Sequence, residues 1–153
     1  MCSDPVFPPA CAAGREPIVL DTNIVLDLWV FNDPAVQTLA QALQQGRLRW
    51  LATAAMRNEL ARVLGYPHIA ARLTPATHGA AGVLQSFDRH AQQVVVAARA
   101  SVTCADPDDQ KFIDLAVAHR ARLLSKDHAV ISMQKRLLTF GVKAQVAIEF
   151  EIN

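Results

Sequence analysis

The sequence predicts an α/β domain built on a single parallel sheet flanked by helices, and three observations support this fold class. Short apolar runs suited to buried strands alternate along the chain with longer helical segments. The 153 residues are the length of one domain, and no internal repeat or linker is visible after residue 16. The apolar fraction of 52% suits a sheet covered on both faces. We therefore expect one domain over residues 17–153, preceded by a flexible tail over residues 1–16.

Five apolar runs are interpreted as the strands, because each is short and lies between helical segments. The predicted strands cover residues 17–20, 48–52, 94–96, 122–125 and 142–148. A further apolar stretch over residues 24–31 is interrupted by Asp27. Since the strands alternate with helices, parallel pairing through crossover connections is expected.

Helices are predicted where a start signal precedes an apolar periodic segment and a stop signal follows it. Asp33 can cap a helix whose first position is Pro34, and Gly46 ends this helix. Thr53 can cap the next helix, which ends before Gly65. The predicted helices cover residues 34–45, 53–64, 74–87, 106–120 and 129–140.

Composition excludes several classes of protein. The net charge is +1, so the chain as a whole is not a strongly basic nucleic-acid binder. No apolar run approaches the roughly 18 residues that a membrane span needs, and residues 1–16 lack the pattern of a secretory signal. The three cysteines match no zinc-binding pattern, which favours reduced thiols and a cytoplasmic protein. The sequence also contains no glycine-rich phosphate loop and no serine nucleophile motif.

Four acidic residues lie where the predicted elements change over. Asp21 and Asp127 follow predicted strands, Asp109 lies at the start of a predicted helix, and Glu59 lies on a helix beside its apolar face. In an open parallel sheet, such positions gather at the carboxyl ends of the strands. Carboxylates gathered there would repel each other, and a hard divalent cation relieves that repulsion. The pattern therefore indicates a candidate cation site.

Each of these acids also has a simpler structural explanation. Asp21 and Asp127 can cap the segments that follow them, since a carboxylate accepts hydrogen bonds from free N–H groups at a helix start. Asp106 can cap the helix in which Asp109 is a first-turn acid. Three neighbouring acids, Asp106, Asp108 and Asp109, leave the exact third member of the set open.

Several motifs, taken in order, resemble those of PIN-domain nucleases. Residues 18–23 (IVLDTN) resemble the opening strand of that family, and residues 123–127 (LLSKD) resemble its closing motif. Glu59 and Asp109 resemble the second and third acids between them. Residues 62–67 (RVLGYP) further resemble a subgroup of toxin components from toxin–antitoxin pairs. The resemblance extends over roughly residues 17–148.

The resemblance implies a PIN-like fold and a ribonuclease that uses Mg²⁺ or Mn²⁺ to hydrolyse RNA phosphodiester bonds. The catalytic and metal-binding residues that it implies are Asp21, Glu59, Asp109 and Asp127. The residues that it implies as supports of these carboxylates are Thr22, Asn23 and Ser125. Metal-assisted hydrolysis agrees with this set, because a carboxylate-held cation can activate water and stabilise charge on phosphate oxygens.

Partners and alternatives follow from the same observations. The resemblance implies a small antitoxin that blocks the acidic site, and the low charged fraction of 19% favours an apolar surface covered by a second copy in a homodimer. One alternative is a catalytically silent PIN-fold module that holds RNA or a protein. Another is an aspartate-nucleophile phosphohydrolase of the haloacid-dehalogenase type, which Asn23 disfavours because that chemistry usually has an acid there.

Overall fold

The computed structural model describes residues 15–75 and 78–146, and its centre is a five-stranded sheet in which every pairing is parallel. The strands are β1 (Glu16–Leu20), β2 (Leu48–Ala52), β3 (Ala91–Gln93), β4 (Arg122–Leu124) and β5 (Ala144–Gln145). Their order across the sheet is β3-β2-β1-β4-β5. The predicted fold class, a parallel sheet flanked by helices, is confirmed.

Helices join the strands and cover the sheet. In chain order they are α1 (Thr22–Leu26), α2 (Gln37–Gln44), α3 (Ala54–Leu64), α4 (Pro67–Ala70), α5 (Gly79–His90), α6 (Gln110–His119), α7 (His128–Ile131) and α8 (Gln134–Leu138). A π-helical turn, Asp27–Phe31, continues α1, and 3-10 turns at Pro34–Val36 and Pro107–Asp109 precede α2 and α6. Within the described ranges, every helix is too short or too polar to cross a membrane.

The register between β1 and β4 places the two motifs of greatest interest side by side. Leu20 pairs with Leu124, and the Asp21 N–H donates to the Leu124 carbonyl at 3.1 Å. Asp21 and Ser125 therefore follow directly from two neighbouring strands that run in the same direction. This edge of the sheet is where ligands bind in open parallel sheets.

Both faces of the central strands are buried, as expected for a parallel sheet with helices on each side. In β1, Ile18, Val19 and Leu20 are buried, and Leu123 and Leu124 of β4 are buried as well. Trp50 of β2 anchors one side of this core against Trp29 and Phe87, with ring centroids 5.5 and 4.9 Å away. Many of the apolar residues therefore lie in the buried core.

The predicted strand over residues 94–96 is wrong in position, because β3 occupies Ala91–Gln93 instead. Its partner β2 sets this limit: Ala52 pairs with Gln93, and Thr53 then turns the chain into α3. The Val94 N–H still donates to the Ala52 carbonyl at 2.8 Å, and beyond Val94 a strand has no neighbour in β2 to pair with. The apolar run continues past the sheet into the exposed side chains of Val95 and Val96.

The predicted helix over residues 129–140 is divided into α7 and α8. Ser132 explains the break, because its hydroxyl donates to the Ala129 carbonyl at 3.2 Å and competes with the helical ladder. The next N–H, of Met133, donates to the Val130 carbonyl three residues back.

Helix α5 begins at Gly79, later than predicted. Most of the predicted tail, at residues 1–14, lies outside the described residues. The end of the predicted last strand, at residues 147 and 148, lies outside them as well.

Candidate functional site

Asp21 occupies the carboxyl end of the central strand β1 and is almost fully buried. Its Oδ1 atom accepts a hydrogen bond from the Ile24 N–H at 3.0 Å, so the side chain caps α1. Its Oδ2 atom accepts a hydrogen bond from the hydroxyl of Ser125. The capping explanation is therefore correct for one oxygen, while Ser125 fixes the other.

Ser125 connects Asp21 to Asp127. The Ser125 side chain is completely buried, and its hydroxyl oxygen accepts the Asp127 N–H at 3.0 Å while its proton goes to Asp21. Asp127 in turn caps α7, since its Oδ1 atom accepts the Ala129 N–H at 2.9 Å. One hydroxyl thus positions the acids that follow β1 and β4.

The turn before α6 contributes two further acids. Asp106 caps this turn through a 3.0 Å hydrogen bond from the Asp108 N–H, and Asp109 ends the turn with its side chain buried. Carboxylate oxygens of Asp106, Asp109 and Asp127 all lie within 4.8 Å of one another. Asp108 is exposed and offers its carbonyl to Lys111. The structure therefore adds Asp106 to Asp109 and Asp127 as a candidate ligand.

Glu59 reaches the same site from α3 but already has partners. The Thr22 hydroxyl donates to its Oε2 atom, and the ammonium of Lys111 contacts its Oε1 atom. Lys111 also donates to the Asp108 carbonyl at 2.6 Å. Sequence reasoning missed Lys111, because no local spacing relates it to an acid 52 positions earlier. The charge of Glu59 is thus compensated by the chain itself.

All four predicted acids line one cavity of about 340 Å³, together with Thr22 and Asn23. Asn23 is exposed at the start of α1. Lys126 lies next to Asp127 in the chain but turns away from the cavity. Its ammonium lies 3.0 Å from the buried carboxylate of Asp27, a pairing that the sequence did not reveal.

The electrostatics of the cavity follow from its burial and crowding. Burial, together with the nearby carboxylate of Asp127, raises the pKa of Asp109 from 3.8 to about 8. The pKa of Asp127 is lowered, first because its carboxylate accepts a hydrogen bond from Asp109 and then because it accepts the Ala129 N–H. Burial also raises the pKa of Asp21, although the Ser125 hydroxyl acts in the opposite direction. Without a cation, these shifts favour a neutral Asp109 beside an ionised Asp127.

These residues fit a hard divalent cation. The Oδ2 atom of Asp109 is buried and has no hydrogen-bond partner among the described residues, so an acceptor is available to a ligand. The neighbouring donors from Asp106 and Asp127 are oxygen atoms, the type that Mg²⁺ and Mn²⁺ prefer. A cation would also take the place of the Asp109 proton as the source of positive charge between the carboxylates.

Comparison with known proteins agrees with this architecture. The family model described as PIN domain matches residues 17–129, which include both strand-end motifs and all four acids. The chain belongs to the PIN-domain family. PIN domains are generally nucleases. No curated protein sequence matches the chain significantly.

The PIN fold is also found in a solved complex. The chain superposes on one chain of the crystal structure of VapBC2 from Rickettsia felis bound to a DNA fragment from their promoter, with a TM-score of 0.57 and 13% sequence identity. The match covers 84% of this chain and 98% of the other. At this identity the similarity concerns the fold.

Proposed function

We propose that this PIN-domain protein is an endoribonuclease that depends on Mg²⁺ or Mn²⁺. The observation that carries the proposal is the approach of three carboxylates, from Asp106, Asp109 and Asp127, to within 4.8 Å in a cavity that also contains Asp21. One buried oxygen of Asp109 has no hydrogen-bond partner there among the residues that the structure describes. Structural caps do not require such crowding, whereas a cation site does.

Asp21, Asp109 and Asp127, with Asp106 beside them, would hold the cation. When bound, it supplies charge stabilisation for phosphate oxygens and lowers the pKa of a water molecule. The protein's own contribution is positional: the buried Ser125 hydroxyl donates to the Asp21 carboxylate and accepts the Asp127 N–H, which fixes Asp21 relative to the backbone of Asp127. Preorganised groups of this kind need no rearrangement at the moment of reaction.

Glu59 and Lys111 would act on the water and the phosphate. The Glu59 carboxylate is oriented by the Thr22 hydroxyl and can accept a hydrogen bond from an attacking water. The Lys111 ammonium remains partly exposed beside it and can contact a phosphate oxygen. Hydrolysis places the water's oxygen on phosphorus and releases the ribose oxygen as a hydroxyl.

Cleavage of RNA by the purified protein tests the proposal. We expect cleavage with Mg²⁺ or Mn²⁺, none with EDTA, and a loss of at least ~100-fold in Asp109→Asn. Asp88→Asn is the matched control, because Asp88 is an exposed acid that pairs with Arg57 outside the acidic cavity, and this variant should retain activity. Equal cleavage in EDTA would contradict the proposal. RNA binding without cleavage under all metal conditions would favour the silent binding module.

We further propose that the protein is the toxin of a toxin–antitoxin pair and acts on RNA in the cytoplasm. The support is its fold, which it shares with a chain of the VapBC2 complex. An antitoxin could block the cavity by placing an Arg or Lys among the acids, where its cation would replace the metal's charge. Expression of the wild type should arrest bacterial growth, whereas expression of Asp109→Asn at the same level should not. Arrest by both would contradict the toxin assignment.

A homodimer is proposed as well. Val95 and Val96 are 86% and 75% exposed and follow the edge strand β3. Charged residues and proline usually protect a sheet edge from pairing with another chain. The segment 91–98 contains neither. In a homodimer, the segment 91–98 of each chain would lie against the segment 91–98 of the other and cover its edge strand. A twofold interface uses the same surface on both chains in this way.

A further inference from the structure

The acidic cavity has a second wall that the carboxylates do not form. Tyr66 and His68 line it, with ring centroids 6.3 Å apart and their planes inclined by 33°. Tyr66 is 41% exposed, although it is a large aromatic residue. Arg62 lines the same wall and is exposed. The cavity thus combines aromatic rings and a guanidinium with the acids.

The backbone holds Tyr66 in a fixed position. Its N–H donates to the Val63 carbonyl at 3.0 Å, so Tyr66 closes the end of α3. Its own carbonyl accepts the N–H groups of Ile69 and Ala70 at 2.9 and 2.7 Å, so Tyr66 also starts α4. Pro67 follows it at the first helical position, and Ile69 anchors α4 in the core. A ring presented in this way loses little freedom when a ligand stacks on it.

Arg62 lines the same cavity as Tyr66. A hydrogen bond to the Tyr66 side chain raises the pKa of Arg62, and the nearby acids Glu59 and Asp108 raise it further. Arg62 and Tyr66 line the same cavity as the carboxylates, and the Arg62 side chain remains open to solvent. A phosphate joined to a base on Tyr66 would meet this guanidinium, which binds phosphate oxygens well.

We propose that Tyr66 is a stacking platform for one unpaired nucleobase, with His68 beside the base and Arg62 on an adjacent phosphate. The base would stack on the exposed face of the Tyr66 ring. Bases in single strands and loops present free faces for such stacking, whereas paired bases do not. Tyr66 would therefore hold one unpaired base of the RNA. This inference rests on the proposed function, since it assigns the substrate of the same cavity.

Binding rather than cleavage tests the inference, so that it can fail separately from the proposed function. Tyr66→Leu and Tyr66→Phe are made in an Asp109→Asn background that does not cleave, and fluorescence anisotropy with a labelled single-stranded RNA in Mg²⁺ gives the Kd. We expect Tyr66→Leu to weaken binding roughly 5- to 100-fold, because one stacked base is lost. Tyr66→Phe keeps the ring and should bind within about threefold of the tyrosine protein.

Abasic substitutions in the RNA identify the stacked base. At one position, removal of the base should weaken binding to the tyrosine protein and leave binding to the Tyr66→Leu protein nearly unchanged, because both changes remove the same contact. A duplex of the same sequence should bind more weakly than the single strand to the tyrosine protein only. Thermal melts establish that each variant is folded.

Three results would overturn the inference. The first is equal RNA affinity of Tyr66→Leu and the tyrosine protein when both are folded. The second is the same penalty for abasic RNA in both proteins. The third is unchanged RNA binding accompanied by lost binding of a protein partner in Tyr66→Leu, which would assign the ring to a protein interface. Absence of RNA cleavage by the wild type bears on the proposed function and leaves these binding results decisive.

Discussion

The change Asp109→Asn should stabilise the metal-free protein at alkaline pH and leave it unchanged at acidic pH. The pKa of Asp109 is raised from 3.8 to about 8 by burial and by the neighbouring Asp127. A folded carboxyl with a raised pKa stabilises the protein fully below its unfolded pKa and loses that contribution as the pH rises through its folded pKa. Stability should therefore fall between about pH 4 and pH 8 and remain low above it.

The magnitude follows from the pKa. A rise of about four pH units, at ~1.4 kcal/mol per unit, gives an upper bound of about 6 kcal/mol on the free energy lost above pH 8. The lowered pKa of Asp127 offsets part of this loss of stability, because the folded state favours its ionised carboxylate. Asparagine resembles the protonated carboxyl, because its amide can donate to Asp127 in the same place. We expect Asp109→Asn to gain about 2–3 kcal/mol at pH 9, or roughly 5–10 °C in Tm.

Urea denaturation and thermal melts in EDTA, at steps from pH 5 to pH 9, provide the measurement. The two proteins should differ least at pH 5 and diverge further as the pH rises to 8, whereas Asp108→Asn should follow the wild type throughout. Adding Mn²⁺ at pH 8 should raise the Tm of the wild type and have little effect on Asp109→Asn, since a ligand that binds only the folded state stabilises it. Equal stability of the two proteins at pH 9 in EDTA would refute the reasoning.

Three further predictions concern other residues. Ser125→Ala should cost about 1–3 kcal/mol in urea denaturation, because it leaves a buried oxygen of Asp21 without its donor; an unchanged midpoint would mean that the contact adds nothing. Lys111→Gln removes a positive charge beside Glu59 and should strengthen Mn²⁺ binding severalfold in calorimetry; unchanged binding would place Glu59 outside the cation site. Val95→Lys should convert the proposed dimer to a monomer in sedimentation at micromolar concentration, and a wild type that is already monomeric would contradict the proposed interface.

Local chemistry explains the features that could be predicted from the sequence. Helix starts at Asp33 and Thr53 need only a side-chain oxygen next to free N–H groups, and the structure has both caps. The helix that ends at Gly46 and the strand that ends at Leu20 likewise lie where the residue types change. The gathering of Asp21, Asp109 and Asp127 in one cavity was also predictable, because parallel strands bring their carboxyl ends to one edge.

Tertiary contacts decided the rest. The length of β3 depends on where β2 ends, and no signal within residues 91–96 reports that limit. Lys111 meets Glu59, and Lys126 meets Asp27, across separations of 52 and 99 residues, so their pairing depends on how helices pack over the sheet. The pKa of Asp109 has the same origin, since burial and the approach of Asp127 exist only in the folded chain. The sequence by itself determined which residue types stand at the ends of the elements, and the parallel packing of those elements determined which charges became neighbours.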